Sequence, residues 1–367
     1  MLRGILLSLF CVAVPAAMVF SGPLTTAACR SGIAQSDADC AARAIKGHPA
    51  VQLKFWAAQL RLPLERRFGE APPELLNYLE LDNLKDGFPN HPRTARLEPY
   101  FLADMRAALV ELPEPVRRLV ESKLAGIFVV EDLGGTGWTE QVRDERGAPV
   151  AGVVVLDASV LHWRGANGWA TWKENTPFKA DPRYTLGARI ESDSEDVRKN
   201  AIQYILLHEL GHVIAIGSDI HPSWSLAPAS VRSAAAFPFF TESWQIVRAE
   251  NRYATRFDAD FPQRRKVVYY FGPQLPASEM AATYRSLERT NFPTLYASTS
   301  PGDDFAESFA NYVHVVLMRR PFEVRISMDG RTDKVYGACW EQQRCAAKRA
   351  IVERILAVGG EAAAGAR

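Results

Sequence analysis

The sequence predicts an α+β fold: a helical N-terminal region, then a domain that combines a small sheet with long helices. Three features predict it. Apolar residues recur at helical spacing between about 37 and 123, two short β-branched runs follow at 127–130 and 150–156, and helical spacing returns after Glu191. The chain has 367 residues, enough for one large domain or two moderate ones.

The N-terminus opens with Arg3, an apolar run from Ile5 to Phe20 broken by Pro15, and small residues through Thr25-Thr26-Ala27-Ala28. A positive start, an apolar middle and a small-residue exit describe a secretory signal, here spanning residues 1–28. The run is short for a membrane span, so no integral membrane segment is expected after cleavage. Thr26-Ala27-Ala28-Cys29 also resembles a lipoprotein acylation box, with Thr26 where Leu is usual, and that reading would place a lipid anchor on Cys29. Both readings export the protein, to the periplasm or beyond.

Five cysteines fit export. Cys11 leaves with the signal, and the other four suit an oxidising compartment. The preferred pairing is Cys29–Cys40 with Cys339–Cys345, one of three that four cysteines permit.

From residue 29 to 125 the spacing of Leu53, Trp56 and Leu60, then of Leu102, Met105 and Leu109, predicts helices separated by Pro72-Pro73 and Pro113-Glu114-Pro115. The second region, 126–358, begins with two buried strands around Ile127–Val130 and Val150–Leu156, with polar residues 140–147 as a turn between them. Trp169-Ala170-Thr171-Trp172 alternates in the manner of a half-exposed strand, and the stretch from Asn167 to Trp172 could serve as the edge on which an extended substrate pairs. Residues 359–367 are Ala/Gly-rich and read as a flexible tail.

Composition excludes some classes. Hydrophobic residues make up 47% and charged residues 23%, a globular balance rather than a disordered one. The net charge of +1, from 43 basic against 42 acidic residues, gives no electrostatic reason for a nucleic-acid partner. Arg264-Arg265-Lys266 is a three-residue cluster that reads as a solvated turn.

Chemistry concentrates in His208-Glu209-Leu210-Gly211-His212, an H-E-x-x-H sequence. Ser192 and Glu195 offer a capping box upstream, Ile202, Ile205, Leu206, Leu210, Val213 and Ile214 supply an apolar pattern, and Gly217 is placed to end the helix. On that helix His208 and His212 project from one face a turn apart, where two imidazoles can share one tetrahedral zinc ion. Glu209 lies beside that face, placed to act as a general base on an activated water. Gly211 costs about 1 kcal/mol against Ala inside a helix, so close approach of another backbone is expected there.

A catalytic zinc site needs a third protein ligand and an open position. Asp219 and His221 lie near the helix but off the spacing H-E-x-x-H-x-x-G-x-x-H, and Asp333-Lys334-Val335-Tyr336-Gly337 echoes an aspzincin element far from its usual place. A stronger source is the segment from Tyr296 through Ser300, Pro301, Asp303 and Asp304 to Glu307. Ser300, Pro301 and Asp303 read as the N-cap, N1 and N3 of a helix, and Asp303 and Glu307 are four residues apart on one face, so either could reach the ion. His314, seven residues further on nearly the same face, reads as a core histidine or a support for a ligand rather than a ligand.

These two segments resemble the gluzincin zinc metallopeptidases, in particular the catalytic domain of anthrax lethal factor. The resemblance covers the two helices and, loosely, the stretch from Gly126 onward. It implies a zincin-like domain, with a small sheet on the active-site helix and helices below the cleft, that hydrolyses a peptide or protein substrate with zinc (Zn2+). By position, Asp303 falls on the family's ligand Glu, Glu307 on the acid that orients a ligand histidine, and Tyr296 on a tyrosine that assists the oxyanion. Asp303 is one methylene shorter than the usual Glu. The expectation is therefore an exported zinc metallopeptidase with metal held by His208, His212 and an acid from Asp303 or Glu307, Glu209 as base and Tyr296 as oxyanion donor. The alternative is a periplasmic binding or scaffold protein on a degenerate peptidase fold.

Overall fold

The computed structural model describes residues 26–361. Most of the expected signal segment and residues 362–367 of the expected tail lie outside the described residues. Residues 359–361 belong to the C-terminal helix Ala346–Glu361 rather than to a loose tail. Among the described residues no helix is long and apolar enough to cross a membrane.

The fold is mixed α+β. Its main sheet contains β1 (Phe68–Glu70), β2 (Arg93–Thr94), β3 (Leu124–Glu131), β4 (Gly137–Arg143) and β5 (Pro149–Asp157). The order is β1-β3-β5-β4, with β2 also on β3; β1, β3 and β5 run parallel, and β4 closes one edge antiparallel to β5. β3 and β5 are continuous apolar runs because both of their faces are covered. Successive residues point to opposite faces. Ile127, Val129, Val154 and Leu156 join the larger core, which contains the helix of the two histidines. Phe128, Val130, Val153 and Val155 join a second core with Trp56, Leu75 and Leu79 from the N-terminal helices Leu53–Leu60 and Pro73–Asp86.

β4 departs from the polar turn expected over 140–147. The strand runs to Arg143, and only Asp144–Gly147 turns, with Gly147 at φ +79°. Its polarity has a structural reason. Trp138 and Val142 pack with the N-terminal helices, while Thr139 and Gln141 face the histidine helix and the loop after it. A strand whose two faces carry such different partners shows no continuous apolar run.

Residues 166–172 also differ from expectation. They form the helix Ala166–Asn175, so the tryptophans make no edge strand. Trp169 and Lys173, four apart, share its buried side. The region after Glu191 holds more strand than expected: Glu323–Met328 pairs antiparallel with both Tyr184–Arg189 and Arg331–Gly337, and Trp244–Val247 pairs with Arg252–Thr255. These strands are short, and those of the three-stranded sheet place charged residues such as Arg189, Arg325 and Lys334 at exposed positions, which weakens an apolar signal.

Both disulfides follow the expected pairing, Cys29–Cys40 and Cys339–Cys345. They suit an oxidising compartment, and the first leaves no thiol on Cys29 to carry a lipid. His314 is a core histidine, its Nε2 2.8 Å from the Ile190 carbonyl oxygen, and burial pushes its pKa down to about 4.

Candidate metal centre

The histidine helix spans Arg198–Ala215 and is buried along nearly its whole length. It does not start at the Ser192–Glu195 capping box. Those residues form a separate 3-10 turn, and Val197 precedes the first helical residue. Asp196 is instead drawn to the neighbouring helix, where its Oδ1 accepts from the backbone N–H of Asn167 at 2.8 Å. The other end is as expected: Gly217 takes φ +68°, and a Cβ there would lie 2.7 Å from the Pro149 carbonyl oxygen.

One turn apart on this helix, His208 and His212 bring their Nε2 atoms to 3.2 Å from each other. The second helix, Pro301–Tyr312, supplies Asp303, whose Oδ1 lies 3.8 Å from His208 Nε2 and 3.7 Å from His212 Nε2. Among the described residues these three side chains form the group that could hold a metal ion, with one donor atom each, all within 4.8 Å.

Asp303 serves two purposes through its two oxygens. Ser300 caps the helix by accepting from the Asp303 backbone N–H at 3.1 Å. Its hydroxyl in turn donates to Asp303 Oδ2 at 2.7 Å, and Thr299 donates to the same oxygen at 2.9 Å. Oδ1 is left facing the histidines. The short side chain is thus anchored at the helix start, with Oδ1 free of these hydroxyls.

Glu307 faces the other side of His208. Its Oε1 lies 3.1 Å from His208 Nδ1 and accepts from Lys173 Nζ at 2.7 Å, while Oε2 accepts from Thr294 Oγ1 at 2.7 Å. Burial opposes its charge, but the Lys173 ammonium and the His208 contact outweigh that and hold the carboxyl well below its ordinary range. The two acids therefore occupy different positions, Asp303 at the Nε2 side and Glu307 behind Nδ1.

Gly211 permits this meeting of helices. A Cβ on it would lie 2.8 Å from Ala306 Cα, a backbone atom that cannot swing aside. An Ala inside a helix normally gains about 1 kcal/mol over Gly. Overpacking of about 1–3 kcal/mol opposes that gain here. Gly211→Ala is expected to lower stability, read as a drop in the urea midpoint; a rise would mean the two helices can part freely.

Glu209 turns toward β4. Its Oε2 accepts from Thr139 Oγ1 at 2.6 Å, and its Oε1 occupies the space that a Cβ on Gly137 would need. Tyr296 stands across the site with its ring 5.4 Å from that of His208. Burial, with the charge of Asp303, pushes its phenol well above the ordinary range, so the hydroxyl is a proton donor. A narrow cleft runs between these groups, lined by Gly137, Lys173, Tyr204, His208, Glu209 and Tyr296.

The other candidates stay apart. Asp219 is exposed, and His221 is buried with Nδ1 2.8 Å from the Pro222 carbonyl oxygen; burial pushes its pKa down to about 4. Asp333 pairs with Arg285 on an outer strand at 3.0 Å. Arg264, expected in a solvated turn, is buried instead; it donates to Asp258 at 2.6 Å and to the Ser298 carbonyl at 3.2 Å, bracing the turn that carries Tyr296. Sequence reasoning passed over Gly137, Thr139, Thr294, Trp224 and Lys173. Trp224, 39% exposed, sets its ring 5.8 Å from that of His212. Only Lys173 had a usable signal, its spacing of four from Trp169 in a segment read as a strand.

No family model, curated protein or solved structure matches the chain. The chemistry of the cluster follows from its donor set.

Proposed function

We propose that the chain is an exported zinc-dependent metallopeptidase with a zincin-like domain. The observation that carries this reading is the convergence of His208 Nε2, His212 Nε2 and Asp303 Oδ1, from two helices far apart in sequence, on one point. Two imidazoles and one carboxylate are a donor set that suits catalytic zinc and leaves a position open. The antiparallel edge strand β4 beside the histidine helix supports the zincin-like reading of the fold.

The residues divide the work. His208, His212 and Asp303 hold the ion, and Glu307 orients His208 through Nδ1, as metal-bound imidazoles generally require. When bound, zinc lowers the pKa of a water from about 15.7 toward ~7 and polarises a carbonyl. Glu209 takes the proton of the attacking water and passes it to the leaving amine. Thr139 fixes the carboxylate for that transfer. Tyr296 donates to the developing oxyanion. An extended peptide pairs with β4, the edge strand of the sheet, short of the Arg143 end that Gln52 bridges; this is the role first expected of residues 167–172.

The binding or scaffold alternative drew its support from the short side chain of Asp303. Such a protein would bind zinc weakly or not at all, so measured zinc affinity separates the two readings.

The test is chelation and replacement. The purified protein is expected to cleave unstructured peptides with zinc, to stop with a chelator and to recover when zinc returns. Asp303→Ala should weaken zinc binding by more than the roughly 10–100-fold that losing a partner behind a ligand costs, and Glu307→Ala by about that amount. Absence of zinc-dependent cleavage by the parent, or an Asp303→Ala variant that binds zinc as tightly, contradicts the reading.

A further inference from the structure

Helix Ala166–Asn175 carries neither metal motif, yet it sends Lys173 into the heart of the site. The residue is 4% exposed. Its ammonium donates to Glu307 Oε1 at 2.7 Å, the same oxygen that faces His208 Nδ1. It also sits 4.6 Å from the centre of the Tyr296 ring, within cation–π range. On another side lies Glu174, with Oε1 at 3.9 Å and Oε2 held by the hydroxyls of Tyr269 and Tyr284 at 2.8 and 2.7 Å. The ammonium is thus fixed from several directions.

We propose that Lys173 is a positioning residue of this site, one that locks Glu307 against His208 Nδ1 and Tyr296 by its ring, so that His208 Nε2 stays aimed at the ion. The proposal rests on the metal-site reading above.

The physical case starts with Glu307, which is 1% exposed. A buried carboxylate needs a charge partner and hydrogen bonds to its remaining lone pairs. Thr294 fixes Oε2, but a hydroxyl carries no charge. Lys173 supplies the charge and pins Oε1, and with both oxygens pinned the carboxylate cannot rotate. The imidazole that leans on Oε1 is then fixed as well. With a neutral residue at 173, Glu307 is left uncompensated and must seek another partner. A lysine that merely packed helices together would affect stability without touching the histidine.

The experiment compares Lys173→Met, Lys173→Arg, Glu307→Gln and the Lys173→Met/Glu307→Gln double variant in the full chain. Zinc affinity is read by competition with a chelating dye, and the His208 ring nitrogens by 15N NMR of the metal-free protein. Lys173→Met is expected to lose about 10–100-fold in zinc affinity, the usual scale for a group behind a metal ligand. Lys173→Arg, which keeps the charge, should lose less. In the Glu307→Gln background Lys173→Met should add little, because both act through one contact. Unchanged affinity in Lys173→Met, or losses that simply multiply in the double variant, overturns the proposal.

The NMR reading separates this proposal from the one beneath it. Should the parent bind no zinc, the metal reading falls on its own. The metal-free spectrum still decides on Lys173: a hydrogen-bonded Nδ1 proton on His208, present in the parent and lost in Lys173→Met, supports it. The same signal in both, or in neither, overturns it. If Lys173→Met does not fold, Lys173→Arg is read against the parent, and a retained His208 signal with a zinc affinity less than about 10-fold below the parent's supports the charge-holding role. Loss of both in this charge-preserving variant overturns it.

Discussion

Glu209→Gln is expected to lower peptide hydrolysis by about 10²–10⁴-fold, the range that a positioned general base contributes, while zinc affinity stays near that of the parent. The split follows from where the side chain points. Its carboxylate is turned to Thr139 and Gly137 on β4 and is not one of the three donors that converge on one another. Gln has the same length and can still accept from Thr139, so the fold and the donor set are untouched. What it lacks is a basic oxygen. Zinc content and peptide cleavage measured on the same preparation check this. A variant that kept zinc-dependent hydrolysis would remove Glu209 as the base, and one that lost zinc would make it a ligand.

The second large effect is on stability. Lys348→Met is expected to destabilise the protein by about 3–5 kcal/mol, the cost of breaking a buried ion pair from one side. Lys348 and Asp304 are both 0% exposed, with Nζ donating to Oδ1 at 2.5 Å and Oδ2 at 2.7 Å. Trp244 Nε1 donates to the same carboxylate at 2.9 Å. Burial pushes the lysine down to about 8 and the aspartate up, against the pull of each on the other. Without Lys348 the Asp304 carboxylate keeps the Trp244 indole and the Ser308 hydroxyl as donors but loses its charge partner. Since domains are stable by only about 5–15 kcal/mol, the loss is a large share of the total. Urea unfolding measures it. Replacing both partners, Lys348→Met with Asp304→Leu, should recover much of the loss, because an apolar pair of similar volume is often neutral or better. A single variant as stable as the parent would mean that water reaches Asp304. The pair also bears on function, since Asp304 ties the helix that carries Asp303 to the C-terminal helix.

The site was legible where local rules act alone. A four-residue spacing fixes which face His208 and His212 share, and an N-cap serine with proline at N1 fixes where the second helix begins, so both motifs fall where their residues indicate. Gly211 was legible as an anomaly of propensity, explained by Ala306. Helical spacing alone did not separate Asp303 from Glu307, although the resemblance favoured Asp303 as the ligand. Both sit on one helical face, and what separates them is Thr299 and Ser300 holding one oxygen of Asp303 while Lys173 and Thr294 hold both of Glu307. Lys173 and Thr294 come from elsewhere in the fold.

The sheet divides in the same way. β3 and β5 announce themselves because both faces are apolar, whereas β4 alternates between an aromatic core and a polar site and reads as a turn. Trp169 to Trp172 shows the reverse case. Alternation over four residues suits a strand, but the partners that bury Trp169 and Lys173 are Tyr204 and Glu307, and they select a helix. The capping box at Ser192 lost to a competing contact, the pull of Asp196 toward Asn167.

The most direct test is diffraction from zinc-loaded crystals at the zinc absorption edge. The account predicts one anomalous peak per chain, about 2.0–2.1 Å from both Nε2 atoms and about 2.0–2.2 Å from Asp303 Oδ1, with Glu307 outside the coordination sphere. A peak at another place, or one bound by Glu307 with Asp303 turned away, would contradict it.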